Sequence, residues 1–177
     1  MTSGDDPRGV TRPLLVLVGP PGAGKSTVGK LLAEHLDVPF RDTDHDVEAD
    51  YGASVADVFF AEGEEGFRER ESAALRGALA EHHGVLSLGG GAILAQDNRD
   101  VLAGHCVVFL SVGLSDAVSR IGLSAARPVL ALNPRAQLLV LLEQRLPLYR
   151  AVASVEISTD KLSPEQVRDL VLSAVQL

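Results

Sequence analysis

The 177-residue chain has no tryptophan, only two tyrosines and five phenylalanines, and a single cysteine. So few rings are poor material for stacking splayed bases. One cysteine rules out an internal disulfide and fits a reducing, cytoplasmic compartment. Positive charge is also scarce: Lys and Arg number 16 against 24 Asp and Glu, for a formal net charge of -8. The global field therefore favours neither a nucleic acid nor an anionic membrane surface as a partner. The longest apolar runs, at 14–18 and 106–110, fall far short of the roughly 20 residues of a membrane-spanning helix. The opening MTSGDDPRGVTRP lacks the apolar stretch of a signal peptide and reads as a flexible tail over residues 1–12.

What remains is a chain with enough apolar residues for a core. Hydrophobic residues make up 46% and charged residues 23%, which excludes disordered and low-complexity classes. The length suits one domain, over residues 13–177. Strand-like runs at 14–18, 38–42, 85–88, 106–111 and 155–158 alternate with helical patterns at 25–36, from Ser54 onward, 67–82, 115–120, 134–146 and 163–175. The polar segment EGEEG separates the two middle helical patterns. Ser163 and Gln166 form a capping-box pattern with Pro164 at the first helical position. This alternation predicts an α/β fold, a parallel sheet covered on both faces with its ligands along the carboxyl edge.

The first strand and helix flank GPPGAGKS, residues 19–26, which matches the phosphate-loop pattern in the context it requires. Its glycines let backbone N–H groups turn inward on an anion, and the helix adds its positive dipole end. Lys25 is placed to reach the β- and γ-phosphates of a nucleoside triphosphate, and Ser26 to bind Mg²⁺. Asp42 and Asp44 close the second predicted strand. Residues two apart on a strand face the same way, so one carboxylate could serve the water shell of Mg²⁺ and the other accept a hydroxyl proton. The same acids also suit a solvated turn or a helix N-cap. A calcium loop does not fit, because Val47 and Ala53 stand where glycine and glutamate are needed.

Gly89, Gly90 and Gly91 follow the strand at 85–88, where backbone could approach a small molecule closely. That strand carries no acid for the usual metal position, so Asp42 would take the role; Ser87 lies near the metal on this reading. Arg68 and Glu71 share a helix face, either as a surface pair or with Arg68 as a clamp for a carboxylate and Glu71 orienting it or meeting a hydroxyl. Arg127 precedes a proline in a predicted lid at about 121–133, and Arg145 and Arg150 flank Pro147 to Tyr149. One cysteine excludes a Cys/His zinc cluster, and Cys106, His82, His83, His35 and His105 read as structural. The segments that would mark a GTPase switch or a haloacid-dehalogenase-type phosphatase are missing.

Taken in order, GPPGAGKSTVGKLLA, DTD at 42–44, SVADVFFAEGEEGFRERE, LSLGGGA, ARPVL and RLPLYRAVA resemble the shikimate kinases over nearly the whole chain. Gluconate kinase, which shares the phosphate loop and a polyhydroxy acid acceptor, is the related alternative; the glycine triplet, DTD and the arginines favour shikimate. The resemblance implies a P-loop NTPase three-layer sandwich of the nucleoside-monophosphate-kinase-like type. It would have a five-stranded parallel sheet of order 2-3-1-4-5, an acceptor-binding region at about 42–71 and a lid. It also implies ATP and Mg²⁺, phosphorylation of the shikimate 3-hydroxyl in aromatic amino acid biosynthesis, a cytoplasmic setting and a monomer.

The site residues it implies are these. Gly22, Ala23, Gly24, Lys25, Ser26 and Thr27 hold the nucleotide, with Arg120 against adenine and Arg127 the lid cation near the transferred group. Ser26 and Asp42 serve the metal. Asp44 is the base, and Arg68 and Arg145 take the shikimate carboxylate. Gly89, Gly90 and Gly91 contact the acceptor, and Phe59 and Phe67 wall its pocket. The segment at 122–126 is more apolar than lids of this family.

Overall fold

Side-chain alternation along one strand divides the interior in two. In the computed structural model, which describes residues 12–122 and 134–177, strand β1 (Leu15–Val18) is buried throughout. Leu15 and Leu17 point into one apolar cluster with Val28, Leu32, Val108, Leu110 and Val171. Val16 and Val18 point into the other with Leu75, Leu86, Phe109 and Tyr149. Such two-sided burial is the condition of a parallel strand under helices.

The remaining strands are β2 (Phe40–Asp42), β3 (Val85–Ser87), β4 (Val107–Ser111) and β5 (Val155–Ser158). All pair in parallel in the order β2-β3-β1-β4-β5, as expected. Register brings Leu17 and Asp42 each opposite Ser87, which aligns the carboxyl ends of three strands. β5 closes one edge and is half-buried, with Glu156 and Ser158 facing out.

The helices are α1 (Lys25–Leu36), α2 (Thr43–Tyr51), α3 (Val55–Glu81), α4 (Gln96–Val101), α5 (Leu114–Ile121), α6 (Pro134–Val152) and α7 (Pro164–Val175). A short 3-10 turn spans Ala92–Leu94. The capping box of α7 forms as expected, with Gln166 N–H donating to Ser163 Oγ over 3.2 Å.

Two expectations need correction. Asp44 is not on a strand. The strand ends at Asp42, whose side chain caps α2 by accepting from the Asp44 N–H at 3.0 Å, so Asp44 stands in the first helical turn. The polar break expected at EGEEG is present: two helical stretches meet in α3 across a kink at Gly63, which has φ 72° and ψ -176°. Helix α6, expected over 134–146, continues past Pro147 to Val152. Proline removes one helical bond, but Leu146, Leu148 and Val152 pack on the core and Tyr149 stacks on Phe109, which offsets the loss.

The expected tail lies outside the described residues except for Arg12. The expected lid does so except for Ile121 and Gly122, and Arg127 is among the residues outside. Among the described residues no helix is long and apolar enough to cross a membrane.

Candidate active site

Buried polar side chains gather where the strands end. Asp42, Thr43, Glu71 and Ser87 are all buried, although such groups are seldom fully buried without a partner. They lie at the carboxyl ends of β2 and β3, or on α3 above them.

The phosphate loop joins β1 to α1. Gly24 adopts φ 86°, a left-handed conformation that disfavours any side chain, and it opens α1. Lys25 folds back over the loop, its ammonium donating to Gly19 O at 2.8 Å and Pro20 O at 3.3 Å. Beside the loop is a cleft of about 600 Å³. It is lined by Gly22 to Thr27 and by Arg120, Thr159 and Leu162. Arg120 donates to Gly22 O at 3.1 Å, Thr159 Oγ1 at 2.9 Å and Thr159 O at 2.7 Å, so its guanidinium is fixed at the cleft wall. The sequence assigned nothing firm to Thr159 and Leu162, read Pro164 only as a helix start and gave Val167 no role, yet all four line this cleft. Their one signal is their place just after the last strand, at the ligand-bearing edge.

Ser26 and Asp42 meet directly, with Ser26 Oγ donating to Asp42 Oδ2 at 2.7 Å. Opposite Asp42 in the sheet, Ser87 Oγ is buried and has no hydrogen-bond partner among the described residues. A hydroxyl, one carboxylate and an orphaned hydroxyl, next to a phosphate loop, suit Mg²⁺, which takes few protein ligands and fills its shell with water and phosphate oxygens. Among the described residues no cluster of three or more His, Cys, Asp or Glu could hold a metal by itself.

The three glycines form a floor. A methyl group built on Gly89 would stand 2.5 Å from Asp44 Oδ1 and 2.6 Å from Glu71 Oε1. One built on Gly91 would collide with the Arg68 guanidinium. Only glycine lets these charged groups close down on the backbone. Thr43, unremarked in the sequence, helps to pin this floor: its Oγ1 accepts from Gly89 N–H at 3.1 Å. The Gly90 carbonyl accepts from Arg145 Nη1 at 3.1 Å and from the Tyr149 hydroxyl at 2.5 Å. The position a Gly90 methyl would take is 3.3 Å from Pro21 Cδ and 3.4 Å from Gly19 O. The floor therefore abuts the phosphate loop.

Arg68 leans on two rings, its guanidinium carbon 5.7 Å from the centre of Phe59 and 5.3 Å from that of Phe67, which stack on each other at 4.3 Å. It donates from Nη1 to Glu71 Oε2 at 2.7 Å. Burial pushes the Glu71 carboxyl above the ordinary range; the Arg68 charge and hydrogen bond oppose that shift, Asp44 adds to it, and Arg145 opposes it. Asp44, Arg68 and Arg145 thus converge on one floor, as the sequence leads one to expect. Arg150 is elsewhere, exposed and paired with Glu156 at 2.8 Å. Cys106 is half-buried and burial raises its thiol pKa, which fits a structural role.

The family model for shikimate kinase matches residues 21–176. A shikimate kinase of Streptomyces coelicolor is 54% identical over 168 residues, covering 95% of this chain and 98% of its own. One of Salinispora tropica is 57% identical over 155 residues, covering 88% and 93%. Among solved structures, the shikimate kinase of Acinetobacter baumannii in complex with shikimate superimposes with a TM-score of 0.89 at 38% identity. That match covers 94% of this chain and 93% of the other.

Proposed function

The chain belongs to the shikimate kinase family, and on that premise we propose how its own residues phosphorylate shikimate at the 3-hydroxyl with ATP. The observation that carries the reading is the convergence of Asp44, Glu71, Arg68 and Arg145 on a glycine floor that touches the phosphate loop.

The acceptor carboxylate lies between Arg68 and Arg145, whose guanidinium forks match it. Phe59 and Phe67 hold Arg68 from behind and wall the pocket. Gly89, Gly90 and Gly91 let the sugar-like ring lie close to the backbone. This fixes the 3-hydroxyl between Asp44 and the γ-phosphate, and positioning of this kind supplies much of the rate in phosphoryl transfer. Asp44 accepts the hydroxyl proton as the new O–P bond forms and the bond from the γ-phosphorus to its bridging oxygen breaks, leaving ADP.

On the nucleotide side, Gly22, Ala23, Gly24 and Thr27 wrap the phosphates, and the Lys25 ammonium turns from its loop carbonyls to the β- and γ-oxygens. Arg120 lies against the adenine. Ser26 and Asp42 would hold Mg²⁺, with Ser87 beside them. The ion, when bound, neutralises phosphate charge. For Arg127 as a lid cation the family resemblance is the support. The protein works as a cytoplasmic monomer without nucleic acid or membrane partners, in keeping with its acidic charge.

The test is ADP release by the purified chain with ATP, Mg²⁺ and a panel of hydroxy acids. Shikimate should stimulate release far above gluconate or quinate, with one phosphoryl group gained by shikimate. Release that no acid stimulates, or equal release with gluconate, contradicts the reading.

A further inference from the structure

The Gly90 carbonyl has two donors, and both come from one turn of α6: Arg145 Nη1 at 3.1 Å and Tyr149 Oη at 2.5 Å. The two differ in every property that decides which is permanent. Tyr149 is 1% exposed, and its ring stacks on Phe109 of β4 at 4.9 Å and 17° between planes. Its hydroxyl cannot swing away without uncovering the core. Arg145 is only partly buried, has a flexible stem and carries more donors than one carbonyl can use.

We propose that Tyr149 is a positioning residue for the acceptor: its hydroxyl locks the Gly90 peptide plane while Arg145 is drawn onto the acceptor carboxylate. This rests on the reading that Gly90 and Arg145 face shikimate. Two geometric facts support it. The peptide plane that holds the Gly90 carbonyl decides where the Gly91 N–H points, and Gly91 lies under Arg68. Gly90 also abuts Pro21 and Gly19, so a tilted plane would disturb the join between acceptor floor and phosphate loop. Burial raises the phenol pKa to about 12, so the hydroxyl stays a donor throughout the working pH range.

The experiment is calorimetric titration of shikimate into Tyr149→Phe, with steady-state kinetics for both substrates. The variant keeps the ring stack and removes the hydroxyl, with its hydrogen bond to Gly90 O and its contact with Arg145. The expected result is a rise in shikimate Kd of about fivefold, with the ATP KM within twofold of the parent. A folded variant with unchanged shikimate Kd, or with both substrates weakened equally, overturns the proposal.

A second measurement needs no variant of Tyr149. In the intact chain labelled with [¹³Cζ]tyrosine, the only two signals come from Tyr51 and Tyr149, and Tyr51→Phe assigns them. Shikimate should shift the Tyr149 resonance as Arg145 leaves Gly90 O; a static resonance at saturation overturns the proposal. Arg145→Ala separates the two ideas. If it loses shikimate affinity while Tyr149→Phe does not, the site reading stands and this inference fails. If Arg145→Ala also binds normally, both fail.

Discussion

Arg68 Nη1 and Glu71 Oε2 lie 2.7 Å apart, one turn apart on α3, with the glutamate side chain 2% exposed and the arginine 22% exposed. The pair places a cation and its carboxylate partner together at the glycine floor, and the exposed Glu64 also pairs with Arg68, at 3.4 Å. An exposed pair of this spacing would contribute little. Here, removing one member strands the other in a dry place.

Arg68→Ala should therefore have two separable effects. Shikimate KM should rise roughly a hundredfold through loss of a charge-assisted contact, while ATP KM changes little. Stability should fall by about 3–5 kcal/mol because Glu71 is left buried without its partner. The double variant Arg68→Ala, Glu71→Gln should regain most of that stability and none of the shikimate affinity. Urea denaturation and kinetics on the same samples check both parts.

Asp44→Asn should keep the fold and lower kcat by roughly 10²–10⁴, the usual range for losing a positioned base. Its shikimate Kd should change far less than its kcat. Near-normal turnover would remove Asp44 as the base.

Gly89→Ala places a methyl group against two carboxylate oxygens, at 2.5 and 2.6 Å. The backbone there does not demand glycine, since its φ is not in the left-handed region. The damage should be local: kcat/KM for shikimate down at least about tenfold with nucleotide affinity retained. Nucleotide titration beside shikimate kinetics would show the split.

The pH dependence of stability follows from Glu71. Its folded pKa is raised, chiefly by burial. The native state then holds a proton that the unfolded chain has already released. That contribution is complete below the unfolded pKa and is lost as pH rises through the folded one. The urea midpoint of the parent minus that of Glu71→Gln should decline as pH rises through this window. A difference that grows with pH would reverse the sign and contradict the burial argument.

Much of this was legible in the chain because each strand carries its own punctuation. The run at 14–18 leads straight into GPPGAGKS, so strand, loop and helix were read together, and the sheet order followed from the family resemblance. Helix α2 was not read, for a physical reason: between Thr43 and Tyr51 only Val47 is a buried hydrophobic residue, so no apolar stripe marks it. Its signals were the Asp42 cap and Gly52 at its end, and these are also turn signals. The strand argument for Asp44 was therefore wrong in its premise, although the carboxylate does reach the glycine floor, from a helix. Pro147 hid the last turn of α6, and with it Tyr149. The pairing of Tyr149 with Gly90 spans 59 residues and has no local signature at all.

The account turns on where the acceptor's negative end sits. A crystal structure of this chain with shikimate and ADP would show it directly. The expected density has the carboxylate within hydrogen-bond distance of both Arg68 and Arg145, and a ring hydroxyl against Asp44 facing the phosphate loop. A carboxylate bound away from those two guanidinium groups, or a ring with no hydroxyl near Asp44, would contradict it.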